Sequence, residues 1–331
     1  MTALPVRTIT RTQQPSAVDV SVLVPAKDES GNLALFVELC DATLKAQSAR
    51  YEVIIVDDGS RDESWPLLLE LANKYPFVRP VRHRAQRGIA EALRTGYLNA
   101  RGDVLVFYPA DLQFKPEDIP RLVGPILAGE SDMVTGYKQG KYEKAFVSKV
   151  YNRLSRTLFH VPVRDLNNVK AYRREVMANL PMRPDFHRYM IVLAAAQGYT
   201  VTEVPVPLYP RHAGKSKFGL SRIPVGVLDM VAVWFELRFG AKPLLAFGMM
   251  GAALFALGVL AGFGALAWLL FTGVGQRWVW TLIQTCLIVG SIFFVSGLLG
   301  EMIAQQRAEL RELRRELDDV NASMTSMHGD A

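Results

Sequence analysis

Four polar clusters contain the residues best suited to bind a nucleotide and its phosphates. Three of them are acidic, over residues 25–32, 57–62 and 109–113, and the fourth is basic, over residues 210–217. Carboxylate and amide oxygens are the ligands that Mg²⁺ and Mn²⁺ prefer, whereas arginine and lysine neutralise phosphate. The clusters therefore predict a site for a phosphorylated ligand with a divalent cation.

Two of the acidic clusters follow apolar runs that are predicted to be strands. Asp111 and Gln113 end the most hydrophobic run, where a carboxylate has little reason to lie unless it faces a ligand or a hydrated cation. Asp57 and Asp58 end another, and consecutive carboxylates repel each other unless ligand hydroxyl groups or a cation use them. Capping of the next helix by Ser60 is an alternative that can hold at the same time.

The first and the fourth cluster each have a second interpretation. Asp28 or Ser30 could serve only as the N-cap of the following helix. Arg211, Lys215 and Lys217 surround a glycine shortly before the apolar part of the chain, and basic patches at such places often contact lipid headgroups. Taken singly, neither cluster separates a nucleotide site from these simpler functions.

The elements that must position these clusters alternate between short β-branched runs and longer amphipathic segments. This alternation predicts βαβ units and a mostly parallel sheet. The predicted strands cover residues 20–24, 51–56, 78–82, 103–108, 132–136 and 200–206, and the predicted helices cover residues 33–45, 64–74, 89–100, 119–128, 141–159 and 190–198. Ligands bind beyond the carboxyl ends of strands in open α/β sheets, so the clusters after Val24, Val56 and Tyr108 should meet in one crevice.

Two long uncharged stretches follow the α/β part. No charged residue occurs between Lys242 and Arg277, and none occurs between Arg277 and Glu301. A helix of about 20 apolar residues crosses a bilayer, and both stretches supply that length. The sequence therefore excludes a purely soluble enzyme and predicts a hairpin of two membrane-spanning helices, at residues 243–272 and 278–301.

The chain is thereby divided into six parts. We expect a flexible tail at residues 1–18, an α/β domain at residues 19–219, interfacial amphipathic helices at residues 220–242, the two spans, and a charged helical tail at residues 302–331. Arginine and lysine flank both spans, which predicts that the α/β domain and both termini lie in the cytoplasm. The first 18 residues lack the apolar core of a secretory signal, and two cysteines, Cys40 and Cys286, exclude a disulfide framework.

The basic balance of the chain narrows the class of partner. It has 38 lysines and arginines against 32 aspartates and glutamates, a net charge of +6. With membrane spans in the same chain, this charge favours anionic lipid or a phosphorylated substrate over nucleic acid. Over residues 305–319, arginine and glutamate alternate at helical spacing, which favours a solvated helix over a partner-binding one and leaves a homo-oligomer open.

Several motifs occur in an order that resembles a known family. They are Val22–Glu29, Ile55–Ser60, Arg87–Ala92 with Gly96 and Gly102-Asp103, Ala110–Gln113, Asp165–Arg174 and Arg211–Lys217. They resemble the family 2 glycosyltransferases of the GT-A fold, whose α/β domain has a Rossmann-like, mostly parallel sheet. More narrowly they resemble the polyprenyl-phosphate glycosyltransferases, the group of dolichyl-phosphate mannose synthase and its bacterial undecaprenyl-phosphate relatives. The similarity covers about residues 20–219, and the two spans match the bacterial members.

The resemblance implies a role for each matching position. Nucleotide-sugar binding falls to Pro25, Ala26, Glu29, Asp57, Asp58, Asp62, Gly88 and Ala110. Phosphate or acceptor binding falls to Arg153, Lys170, Arg211, Lys215, Ser216 and Lys217, and binding of Mg²⁺ or Mn²⁺ to Asp111 and Gln113. The implied catalytic residues are Asp111, Arg211 and Lys215.

This sequence departs from the family pattern at two places. The metal motif usually begins with another aspartate, at the position of Pro109, so fewer protein charges and weaker metal binding are expected. The segment from Asp165 also lacks the Gly-Phe pair often found before the residue that is Lys170 here.

The implied activity is transfer of a sugar from a UDP- or GDP-sugar to polyprenyl phosphate, with inversion, at the cytoplasmic face of the inner (plasma) membrane. A lipid phosphate is ionised at neutral pH, so no strong general base is needed. Two alternatives remain. One is a transferase with a sugar-hydroxyl or glycolipid acceptor, which would use Asp165 or Asp111 as base. The other is a non-catalytic nucleotide-binding membrane scaffold, suggested by Pro109.

Overall fold

A computed structural model describes residues 18–139, 153, 155–159, 161, 163–166, 168–180, 186–213 and 222–329. The chain divides into two compact units at Asp229–Met230. The boundary predicted at residues 219 and 220 lies outside the described residues, as do residues 1–17 of the predicted N-terminal tail.

The first unit is built around a seven-stranded sheet with helices between its strands. In chain order the elements are β1 (Val20–Ala26), α1 (Ser30–Leu44), β2 (Tyr51–Asp57), α2 (Ser64–Lys74), β3 (Val78–Arg82), α3 (Ile89–Asn99), β4 (Val104–Phe107), α4 (Ile119–Leu127), β5 (Met133–Gln139), β6 (Lys170–Arg173), α5 (Arg174–Asn179), α6 (Met190–Ala196) and β7 (Val201–Pro207). Short 3-10 turns occupy Pro116–Asp118 and Phe186–Arg188. Residues 153 and 155–159, within a predicted helix, are helical.

The strands lie in the order β3-β2-β1-β4-β6-β5-β7. The first four are parallel to one another, β6 runs antiparallel to both β4 and β5, and β7 is parallel to β5. The predicted α/β fold with a mostly parallel sheet is thus confirmed. Strand β6 was not predicted as a strand, because its four residues show no apolar alternation and gain strand geometry by pairing on both sides.

The core of this unit lies on both faces of the central strands. Val20, Val22 and Val24 of β1 are fully buried, and α1 packs Leu33 and Phe36 into the same cluster. A strand buried on both faces needs a continuous apolar run rather than an alternating one, and β1 has one. The sheet is therefore a rigid support whose strand ends hold the polar clusters in place.

The second unit consists mainly of long helices. Helix α7 (Arg222–Phe239) leads into it, followed by a π-helical segment (Leu244–Gly248), α8 (Met249–Thr272) and α9 (Arg277–Gly329). Within the described residues, two helical stretches are long and apolar enough to cross a membrane, Leu244–Thr272 and Arg277–Leu310, and few of their residues are buried inside the protein. They form the predicted hairpin, joined by residues 273–276.

Glycines let the two arms of the hairpin pack backbone against backbone. A Cβ on Gly251 would lie 2.5 Å from the backbone nitrogen of Phe294, and one on Gly290 would lie 2.7 Å from that of Phe255. No side chain fits in such gaps, so the arms approach more closely than larger residues would allow. At the open end, the backbone N–H of Leu244 donates to Glu301 Oε2 at 3.2 Å.

Candidate functional site

The polar clusters after β1 and β2 hold each other in place at the carboxyl ends of the strands. The backbone N–H of Asp28 donates to Ser60 Oγ at 2.8 Å, and that of Arg61 donates back to Asp28 Oδ1 at 2.8 Å. Asp62 accepts the backbone N–H groups of Ser30 and Ser64, each at 3.1 Å. Burial raises the pKa of Asp62, but hydrogen bonds from Ser64 and Ser30 outweigh it and lower the pKa overall. These contacts fix the loop that is predicted to bind the nucleoside.

Asp57 and Asp58 have separate sets of partners, which removes the repulsion expected between them. Asp57 is fully buried and accepts the backbone N–H of Ser60 at 3.0 Å. Arg82 Nε lies 3.1 Å from Asp57 Oδ2, close enough for an ion pair although not aligned as a hydrogen bond.

Asp58 is engaged with the loop that leads into α3. Its carboxylate accepts the backbone N–H groups of Arg87 and Gly88 at 2.8 Å, and His83 Nδ1 lies 2.8 Å from Oδ1. Burial raises the pKa of Asp58, yet the hydrogen bonds from His83, Arg87 and Gly88 lower it overall. Gly88 has a φ of +91° at the start of α3, a conformation that favours glycine. Asp58 therefore shapes the loop next to the predicted nucleotide pocket.

Arg211 brings the fourth cluster to the first and third. Its Nη2 lies 2.8 Å from Asp111 Oδ2 and donates to Gln113 Oε1 at 3.5 Å, while Nη1 lies 3.9 Å from Glu29 Oε1. Leu112, between the two oxygen donors, has a φ of +57°, unusual for leucine and typical of a tight turn. The guanidinium of Arg211 thus lies among three oxygen-bearing side chains beyond the ends of β1 and β4.

The oxygen donors at this position suit a divalent cation. Among the described residues, no three His, Cys, Asp or Glu side chains are grouped to hold a metal, so a cage made of protein alone is absent there. Mg²⁺ is commonly held by one or two protein carboxylates together with substrate phosphates and water. Asp111 and Gln113 supply two hard oxygen ligands, and the close approach of Arg211 to Asp111 shows that the position attracts positive charge. The residues present fit such a cation.

Lys170 is placed differently from Arg153 and Arg211, the other predicted phosphate-binding residues that the structure describes. Its side chain is fully buried, and Nζ donates to the backbone oxygens of His187 at 3.1 Å and Leu166 at 3.4 Å. Burial lowers its pKa to about 7, against a raising influence of Asp165. The predicted phosphate contact by Lys170 stays a prediction that this geometry does not support.

The remaining predicted site residues fall into three groups. Pro25, Ala26, Gly88 and Ala110 lie at or just beyond strand ends or at the start of α3, with Ala26 and Ala110 buried. Arg153 is exposed and helical. Lys215, Ser216 and Lys217 lie outside the described residues.

Two contacts of the site are not predicted by the sequence. Arg82 pairs with Asp57, and His83 with Asp58. The signal that could have found them is strand pairing: β3 runs beside β2 with Arg82 opposite Asp57, so the residues that end one strand meet those that end the other. Because a whole helix separates the two strands in the chain, their pairing is not visible in the sequence.

Comparison with known proteins identifies the domain. Residues 21–183 match the family model described as glycosyl transferase family 2. The dodecaprenyl-phosphate galacturonate synthase of Rhizobium johnstonii is 28% identical over 304 residues, covering 87% of this chain and 88% of the relative. The undecaprenyl-phosphate 4-deoxy-4-formamido-L-arabinose transferase of Pseudomonas fluorescens is 29% identical over 302 residues, covering 88% and 86%. The dolichol-phosphate mannosyltransferase of Pyrococcus furiosus is 33% identical over 210 residues, covering 60% and 58%.

A solved structure supports the fold. Glucosyl-3-phosphoglycerate synthase from Mycobacterium tuberculosis, crystallised with Mn²⁺, UDP and glucosyl-3-phosphoglycerate, superposes with a TM-score of 0.53 at 20% identity, over 67% of this chain and 80% of that one. At that identity the likeness concerns the fold alone. Residues 21–183 are therefore a glycosyltransferase family 2 domain, in an enzyme whose relatives include polyprenyl-phosphate sugar transferases.

Proposed function

We propose that this enzyme transfers a sugar from a nucleotide diphosphate sugar to the phosphate of a polyprenyl lipid. The observation that carries the proposal is the extent of the likeness. Two relatives named for polyprenyl phosphates align over 304 and 302 residues, a length that takes in both the family 2 domain and apolar helices. A lipid acceptor explains why one chain combines a nucleotide-binding fold with two long apolar helices.

The reaction is a single displacement at the anomeric carbon. An oxygen of the lipid phosphate attacks that carbon, a new C–O bond forms, and the bond to the nucleotide diphosphate breaks with its electron pair leaving on the diphosphate. Attack from the opposite face inverts the configuration. The acceptor phosphate is already ionised at neutral pH, so no protein base has to remove a proton. The protein's main task is then to stabilise negative charge on the leaving group.

Arg211 is the residue best placed for this task. Its guanidinium already lies among oxygen-bearing groups at the strand ends, and it matches diphosphate oxygens in geometry and charge. Lys215 and Lys217 would add positive charge, and Ser216 a hydrogen bond. Asp111 and Gln113 would hold Mg²⁺ or Mn²⁺, which when bound supplies positive charge against the departing diphosphate. UDP- and GDP-sugars are both candidates for the donor.

We further propose that Leu244–Thr272 and the uncharged first part of Arg277–Leu310, residues 278–300, span the membrane. The short connection at residues 273–276 brings the chain back to the side it left, so both flanks share one side. Lys242 on one flank and Arg307 on the other favour the cytoplasmic side by the positive-inside rule. Thiol labelling of intact cells tests this: Gln276→Cys should react with an impermeant reagent from outside and Ala308→Cys only after permeabilisation. The reverse pattern would overturn the orientation.

The activity is tested by supplying both substrates. The purified chain in lipid nanodiscs, given labelled UDP- and GDP-sugars, undecaprenyl phosphate and Mg²⁺ or Mn²⁺, should form a lipid-linked sugar. Asp111→Ala should abolish the product, whereas Asp41→Asn, a surface carboxylate paired with Lys45 on α1, should leave it unchanged. Transfer to a sugar hydroxyl instead of the lipid phosphate would replace the proposed acceptor. Absence of product with every donor would contradict the proposal.

A further inference from the structure

Helix α9 continues well past its apolar part. It runs unbroken from Arg277 to Gly329, 53 residues or about 80 Å, which is more than twice what a bilayer core requires. Its last part, residues 302–329, therefore forms a helix outside the apolar core of the proposed span. This segment, the tail helix, contains a regular apolar pattern that the transfer reaction does not use.

The pattern is a heptad repeat. Apolar residues recur at alternating steps of three and four along the tail helix: Leu310, Leu313, Leu317, Val320, Met324 and Met327, with Ile303 one heptad before Leu310. Ile303, Leu310, Leu317 and Met324 occupy position a, and Leu313, Val320 and Met327 position d; the first d position is the polar Gln306. A mean step of about 3.5 residues keeps one seam facing a partner helix, the signature of a coiled coil.

The part of this seam whose side chains are described is exposed. Ile303 and Leu313 are each 50% exposed, Leu310 59% and Leu317 61%. Four large aliphatic side chains that are at least half exposed forgo the stabilisation that burial against another helix would give. A seam of this kind is completed when a second helix packs along it.

The charges beside the seam select a second copy of the same helix in parallel. Position e carries Arg307 and Arg314, and position g carries Glu309 and Glu316. In a parallel pair, position g of one helix faces position e of the next heptad on the other, so Glu309 meets Arg314 of the second copy, and the reverse. An antiparallel pair would place e against e and g against g, which brings like charges together.

We propose that the tail helix forms a parallel coiled coil with the tail helix of a second copy of this chain. Two copies in one membrane with the orientation proposed above run in the same direction, which is the arrangement that the charges favour. About three and a half heptads are marginal for two free peptides in water. Confinement of both copies to one membrane raises their effective concentration and makes such a contact sufficient. The contact is independent of the transfer reaction.

Disulfide trapping tests the seam directly. Leu317→Cys places a thiol at position a, where two parallel helices bring Cα atoms within disulfide range. Arg315→Cys, at the outer f position, is the matched control. Oxidation of membranes should give a covalent dimer with Leu317→Cys but not with Arg315→Cys. The parent chain should give no dimer either, and it measures the background from Cys40 and Cys286. Equal yields from both variants, or no dimer from either, would overturn the proposal.

Charge reversal tests the register and the orientation. Glu309→Arg should raise the dissociation constant of the detergent-solubilised dimer roughly tenfold, because it sets arginine against Arg314 of the second copy. The double variant Glu309→Arg/Arg314→Glu should restore the original value. Mass photometry across a dilution series measures both. A parent chain that is monomeric at every concentration, or a double variant that is no tighter than the single one, would contradict the parallel pair.

Discussion

Carboxylates at the two ends of the parallel strands are held in different ways. At the amino end, Glu52 of β2 accepts Ser21 Oγ at 2.6 Å, the backbone N–H of Arg101 at 2.7 Å and Arg79 Nη1 at 2.7 Å. Gly102 N–H donates in turn to Ser21 Oγ at 2.9 Å. The Glu52 side chain is 4% exposed. It is held by short contacts from several directions, which makes it part of the framework.

At the carboxyl end, Asp111 accepts one backbone N–H, that of Gln113 at 3.2 Å, and pairs with a long cationic side chain from a distant segment. The guanidinium belongs to Arg211, which follows β7 much later in the chain and remains 23% exposed. Such a cation can move from a carboxylate to a phosphate without disturbing the sheet. A carboxylate that is almost fully buried and held from several sides, as Glu52 is, stabilises the fold, whereas we expect a carboxylate paired with an exchangeable arginine, as Asp111 is, to serve a ligand.

The largest effect is expected from removing the charge of Asp111. Asp111→Asn keeps the shape of the side chain but weakens its hold on a cation, so the rate of sugar transfer should fall about 10³-fold. The thermal unfolding midpoint should change little, because the carboxylate is not part of the core. Transfer assays and unfolding monitored by tryptophan fluorescence measure the two effects. A fully active variant would show that the carboxylate of Asp111 is not used in the reaction.

The reverse pattern is expected at the amino end. Glu52→Gln should lower the free energy of unfolding by about 2.5 kcal/mol, because a buried charged acceptor of three hydrogen bonds is replaced by a neutral one. Activity per folded molecule should be unchanged. Asp19→Asn is the control, because its pair with Arg50 is exposed to solvent and should contribute much less to stability than the contacts of Glu52.

The stabilisation by Glu52 also has a defined pH dependence. Burial raises the pKa of Glu52, but hydrogen bonds from Ser21, Arg79 and Arg101 lower it overall. A carboxyl group whose pKa is lower in the folded state stabilises the fold above its unfolded pKa, about 4.3, and loses this as the pH falls through the folded value. The difference between wild type and Glu52→Gln should be full at pH 7 and shrink below about pH 4. A constant difference would exclude the charge as its source.

A smaller effect is expected at Asp58, which combines the two behaviours. It lies at the carboxyl end but is bound by backbone groups, as Glu52 is. Asp58→Asn can accept only one of the N–H groups of Arg87 and Gly88, so the free energy of unfolding should fall by about 1.5 kcal/mol. The KM for the nucleotide sugar should rise with it as the loop loosens. Lost activity with unchanged stability would instead make Asp58 a direct ligand.

Asp58 also illustrates which features of the site could be predicted from the sequence and which could not. Apolar periodicity predicted six of the seven strands of the described sheet and the two apolar helices, because burial on a sheet or in lipid needs residues at fixed spacing. The rule that ligands bind beyond strand ends brought Glu29, Asp57 and Asp111 to one edge. What periodicity could not supply was the direction of each side chain. Asp57 and Asp58 are adjacent in sequence, yet they turn to different partners.

The same limit applies to Lys170 and Arg211. Both are basic residues that the resemblance assigns to phosphate binding. Pairing of β6 with β4 and β5 buries Lys170 inside the sheet, whereas Arg211 follows β7 in a segment that reaches the site. Burial depends on which strands become neighbours, and β6 is a strand that its own residues did not predict. Tertiary pairing therefore determines that Lys170 is buried and that Arg211 is partly exposed beside Asp111.

The smallest effect is expected from Gln113, which shares the edge with Asp111 but carries no charge. Gln113→Ala should raise the Mn²⁺ concentration needed for half-maximal transfer by only roughly threefold to tenfold. The effect is small because a neutral amide oxygen attracts a cation less than a carboxylate does. The rate at saturating Mn²⁺ should stay near that of wild type, and Gln197→Ala, on the surface after α6, should change neither. A loss as large as that of Asp111→Asn, not recovered by added Mn²⁺, would mean that Gln113 acts by positioning Arg211 rather than by binding the metal. The exchangeable cation would then be held by an amide as much as by a carboxylate.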